Sequence, residues 1–171
     1  MAFFRADGFI GGQAINETST TQLHPLGAII RATDNATSSN LGSGEFIYLL
    51  GVASTVVGSL VTYSATTFQT TLSPTNATSD GYPLAVAMSA NVASQYGWYQ
   101  IEGNAVVKKT TVAATPGVPI FISATDGRMK VLASAGQQIL GAQTANLTTV
   151  VTTTSTVVVT INRPFTQGQI T

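Results

Sequence analysis

The chain has very little charge: seven basic and seven acidic residues among 171, with a formal net charge of zero at pH 7. That is 8% of the residues, about a third of the usual share. Lys108-Lys109 is the one adjacent basic pair, which cannot supply the several phosphate contacts on which nucleic-acid affinity rests, so no nucleic-acid partner is expected. Cysteine is absent, which excludes disulfides, thiolate nucleophiles and cysteine-ligated zinc. No stretch approaches the 18 apolar residues of a spanning helix, and no membrane partner is expected. At the N-terminus the lone Arg5 follows the aromatic pair and Asp7 interrupts the apolar stretch, so no signal peptide is expected. These features predict a soluble chain made in the cytoplasm.

Catalytic patterns are missing too. The single histidine, His24, precedes Pro25, and no Gly-x-Ser-x-Gly elbow accompanies the many serines; it reads as a surface or capping histidine. Asp7, Glu17, Asp34, Glu45, Asp80, Glu102 and Asp126 stand one by one, without a calcium loop or a His-Glu-x-x-His pair. Glu45 and Glu102 are expected on solvent faces or on backbone donors rather than as a glycosidase pair. Gly11-Gly12 lacks the Lys-Ser/Thr of a phosphate loop. The Asn-x-Ser/Thr triplets at Asn16, Asn35, Asn76 and Asn146 arise readily in a Thr-rich chain and carry no weight without secretion. The chain reads as a non-enzyme with no cofactor and no metal.

What is present is Thr, Ala, Val, Ser and Gly in short β-type runs between turn residues, the pattern of a single antiparallel barrel or sandwich. Strands are predicted over Ala28–Thr33, Glu45–Gly51, Ser59–Ser64, Leu84–Ala90, Gly97–Glu102, Asn104–Lys109, Pro119–Ala124, Arg128–Ala133 and within Thr148–Asn162. Asp126-Gly127 suits a type I′ turn and predicts that 119–124 pairs with 128–133, with Arg128 and Lys130 on a wet face opposite Met129 and Val131. At most one helical turn is expected, over Met88–Tyr96. In strand 97–102, Trp98, Gln100 and Glu102 share a face opposite Tyr99 and Ile101, which places Trp98 at a rim or subunit contact rather than in a sugar-stacking platform.

Residues 147–161 are nearly all β-branched and must be strand. At that length the run either bends near 153–155 or pairs across a subunit boundary through residues such as Val157 and Val159. Residues 1–27 lack a period and read as an extended arm ahead of a body over 28–165 and a tail over 166–171. The arm's Phe3, Phe4, Phe9 and Ile10 either fold back over the body or anchor it to a neighbour.

The order Leu26-Gly-Ala-Ile-Ile-Arg-Ala-Thr-Asp34, Gly44-Glu-Phe-Ile-Tyr-Leu-Leu-Gly-Val-Ala53, Leu84-Ala-Val-Ala-Met-Ser89, Gln95-Tyr-Gly-Trp-Tyr-Gln-Ile-Glu-Gly103 and Asn162-Arg-Pro164 resembles the head decoration, or cement, proteins of tailed bacteriophages, over about residues 20–165. The resemblance implies a β-rich virion protein that coats and stabilises the outside of the capsid. Its implied partners are the major capsid protein and further copies of itself in a homotrimer. A glycan- or receptor-binding module of a phage tail or fibre shares this composition and is the competing expectation.

Overall fold

Residues 3–5, 12–35, 41–73 and 81–168 are described by the computed structural model of the chain. Among them the Val-, Ile- and Thr-rich runs form eleven strands and no helix: β1 (Phe3–Arg5), β2 (Ile29–Asp34), β3 (Ser43–Leu50), β4 (Leu60–Tyr63), β5 (Thr70–Leu72), β6 (Leu84–Ala87), β7 (Tyr96–Lys108), β8 (Pro119–Ile122), β9 (Met129–Lys130), β10 (Gln138–Thr144) and β11 (Thr156–Thr166). Every strand pairing is antiparallel. The chain is therefore all-β, as predicted. The strands make one curled sheet in the order β1-β2-β3-β7-β11-β10-β8-β9, with β4, β5 and β6 attached as a branch through the β6–β7 pair.

The thirteen-residue β7 organises the sheet. It takes the place of the two strands predicted over 97–102 and 104–109, because Gly103 at φ +97° lets the chain change direction without leaving the ladder. A Cβ at that position would lie 2.5 Å from the Ser43 carbonyl oxygen. Alternation along β7 then divides the apolar residues between two sides. Tyr99 and Ile101 pack with Ile47, Leu49 and Val61, and Ala105 and Val107 with Ile120, Ile139, Val157, Val159 and Ile161, inside the curl. Trp98 packs on the other side with Phe46, Tyr48, Ile30 and Ile15.

Several expectations change. Residues 88–96 contain bends and a turn but no helical turn; Ser94 adopts φ +62° there, and Asn91 is fully buried rather than capping a helix. The hairpin pairs as predicted, Phe121 with Lys130 and Ile122 with Met129, yet Gly127 has positive φ and Asp126 does not, so the turn is not type I′. Residues 147–155, expected to be strand, instead leave the sheet as a loop held by a bridge from Val150 to Ala114, so the run does not bend into two strands and only its part from Thr156 onward belongs to β11. β11 is then covered along both edges, by β7 and by β10 of its own chain. No subunit boundary is needed to pair it.

Of the first 27 residues, those that are described lie against the body. β1 is an edge strand on β2, and residues 12–27 lie across the body as a strap. Phe9 and Ile10 fall outside the described residues.

Candidate interaction surfaces

The strap is fastened by Gln13, a residue to which the sequence drew no attention. Its side-chain NH2 donates to the carbonyls of Glu17 (2.7 Å) and Tyr96 (2.9 Å), and its Oε1 accepts from the Tyr48 hydroxyl (2.7 Å). Its carbonyl accepts the Trp98 indole N–H (3.1 Å), and its backbone N–H donates to Nε2 of His24 (3.3 Å). His24, itself part of the strap, is half-buried with its ring 5.1 Å from both Tyr48 and Trp98, and by accepting the Gln13 N–H it serves as a capping histidine rather than a surface one. Trp98 is fully buried. It offers neither a rim contact nor a sugar platform, because the strap covers the face on which alternation places it. Val157 and Val159 are likewise interior, opposite Val107 and Ala105 of β7, and cannot touch another molecule. Phe3 and Phe4 lie on the edge strand β1.

A second cluster gathers charge. Register places Arg31 opposite Glu45, and Glu45 opposite Glu102. Glu45 is 9% exposed instead of solvent-facing, and its two oxygens are taken by Arg31 (3.0 Å) and Arg163 (2.7 Å). Arg163 reaches it from φ +42°. Burial pushes the Glu45 pKa up, but the hydrogen bonds and charges of Arg31 and Arg163 outweigh burial and hold the carboxyl below its ordinary value of 4.5. A carboxylate so held is a poor proton donor, whatever stands opposite it.

Because this folded-state pKa lies below the unfolded one, the stabilisation is complete above pH 4.5 and disappears as pH falls through the lowered value. Both arginines are largely exposed, so the whole contribution is about 1 kcal/mol. Urea titrations of the wild type and Glu45→Gln are expected to differ at pH 7 and to converge as the pH falls below 4.5 and through the lowered folded-state value; a constant gap would show that the arginines do not hold the carboxylate.

A third region is defined by a buried lysine. β7 alternates Ala105 in and Val107 in, which brings Lys109 inside as well, at 2% exposure. Its ammonium donates to the carbonyls of Thr110 (3.3 Å), Val112 (2.9 Å) and Val151 (3.0 Å), with no carboxylate within ion-pair distance among the described residues. Burial lowers its pKa from 10.5. Lys109 thereby ties the segment 110–118 to the loop 145–155, and the Asn146 amide adds bonds to Ala114 (2.9 Å) and Thr148 (2.7 Å). Neither segment contains a charged residue. The loop exposes Leu147 at 98% and Val151 at 56%.

Among the described residues no group of three or more His, Asp or Glu could hold a metal ion. Comparisons with protein-family models, with curated proteins and with solved structures give no match.

Proposed function

We propose that this protein decorates and stabilises the outer surface of a bacteriophage capsid by binding the lattice of its major capsid protein. The observation that carries the reading is the loop 145–155: uncharged, tipped by Leu147 and Val151, and fixed at its base by Lys109. An apolar side chain presented to water on a fixed backbone suits a contact made many times over, since little conformational entropy is lost when it docks. The near absence of charge permits close accumulation of copies on a surface without mutual repulsion. The charged cluster is closed on itself and the tryptophan is covered, which removes the sugar platform on which the tail-fibre alternative relied. Trimers of this protein would not form by pairing through β11, whose two edges are already taken.

Co-sedimentation with capsids tests the reading. The wild type is expected to bind saturably, and Leu147→Asp to bind at least about tenfold more weakly, the loss of roughly 1.4 kcal/mol that removing one docked aliphatic side chain predicts. Leu147 touches nothing in its own fold at 98% exposure, so an unchanged melting temperature accompanies the variant. Absence of wild-type binding would reject the function; equal binding by both would move the contact away from the loop.

A further inference from the structure

We infer a second surface, a glycan-binding band on the outer face of β10, β11 and β7. Register sets Gln143, Thr160 and Asn104 in one line across these three strands, and Asn162 and Glu102 in the line beside it. The inward residues of the same strands, Thr144, Val159, Ile161 and Ala105, are buried, so the polar set faces out. A shallow groove of about 370 Å³ lies at its β10–β11 end, lined by Gln143, Thr160 and Asn162 and, toward β8, by Gln138 and Pro119, where β10 bulges at Gly141. A Cβ at Gly141, which has φ +71°, would lie 2.6 Å from the Asn162 carbonyl oxygen, so a side chain there would disturb the groove wall.

The chemistry of the band selects the ligand. Amide side chains carry donors and acceptors in one plane, matching hydroxyl groups that both give and receive hydrogen bonds. Thr160 donates to Asn104 Oδ1 (2.6 Å), fixing that amide and leaving its NH2 for another acceptor. Adjacent strands lie about 4.8 Å apart, close to the rise of one pyranose ring, so a polysaccharide lying across the strands meets one polar side chain per sugar. Phe165, 44% exposed on the same face of β11, supplies a ring for the C–H side of a sugar. No lysine or arginine belongs to the band, and the Arg163 guanidinium beside it is bonded to Glu45, which disfavours phosphates and acidic polymers. The band also lacks the apolar centre of a protein interface. A neutral hexose or N-acetylhexosamine polymer fits best. This inference does not require the capsid role.

The probes are cellohexaose, maltohexaose and chitohexaose, titrated into the full chain and followed by amide chemical shifts. At least one is expected to give saturable shifts at residues 102–104, 143 and 160–162, with a dissociation constant in the millimolar range or below, about −4 kcal/mol or better. Thr160→Val with Asn162→Ala should weaken it at least about tenfold, with an unchanged melting temperature, since both side chains are exposed. No saturable shift with any of the three sugars overturns the inference, as do shifts confined to other residues or binding indifferent to the double variant. If the double variant loses capsid binding while the sugars stay silent, the band is a protein contact. If Leu147→Asp alone loses capsid binding while sugar binding persists, both surfaces stand separately.

Discussion

Gly51→Ala is expected to destabilise the protein by about 3 kcal/mol or more, the upper end of what overpacking a filled interior does. Gly51 follows β3, and a Cβ on it would run into the Asn91 carbonyl group, with the Val92 carbonyl oxygen 2.7 Å away. Those obstacles are backbone, in a segment fixed to Gly51 itself by the Gly51 N–H bond to the Gln95 carbonyl (2.7 Å). Asn91 is fully buried and has no room to retreat, because its side chain already fills the space left by Gly97, where a Cβ would stand 2.6 Å from Asn91 Cγ. Tyr99, whose phenol burial pushes up to about 12 against the opposing influence of Thr70 and Asn91, would be disturbed by any shift of that loop. The nearest obstacles to a Cβ at Gly97 belong to the same buried Asn91 side chain, so Gly97→Ala should destabilise the protein as well. In a chain of this size the Gly51 variant should melt about 6–12 °C lower. Gly168→Ala, with nothing within 4 Å, should melt as the wild type does, and equal melting of Gly51→Ala and Gly168→Ala would refute the packing argument.

Glycines of this kind mark the boundary of what the sequence discloses. β2, β3 and the first part of β11 are legible because β-branched and aromatic runs leave the backbone few alternatives. β10 went unseen since Gly141 breaks its alternation and Gln138 and Gln143 carry no strand signature. β5, three residues long, exists only because β4 lies beside it. The face assignment of Trp98 against Tyr99 is correct in the fold, yet exposure does not follow from it. What covers Trp98 is a strap without a period, and one glutamine with five hydrogen bonds is indistinguishable in sequence from an exposed one. Glu45 required the pairing register, which brings Arg163 to it across more than a hundred residues. Lys109 was within reach: continuing the Ala105, Val107 alternation by two residues points it inward.

Lys109→Ala is expected to cost about 3–5 kcal/mol, comparable to breaking a buried ionic arrangement, because three carbonyls lose their donor and a cavity replaces the side-chain stem. Lys109→Met keeps the stem's volume and relieves the buried charge while leaving the same carbonyls unpaired, so it should cost less, about 1–3 kcal/mol. The pH dependence separates the two contributions. Burial lowers the lysine's pKa in the folded protein, so between that lowered value and 10.5 the unfolded chain binds the proton more tightly than the native one. Stability therefore rises with pH through that window and levels off above it. Tyrosines titrate in the same range, but they are common to both proteins, so the quantity to follow is wild-type minus Lys109→Met stability, from urea unfolding at pH 7 to 11. A difference that is flat with pH would mean that the ammonium is not dehydrated. Hydrogen exchange of the 145–155 amides should rise in Lys109→Met well before global unfolding. If the capsid contact depends on the fixed base of the loop, Lys109→Met will also bind capsids more weakly, with Leu147 still in place. Faster exchange with undiminished capsid binding would show that the loop docks without being held in advance.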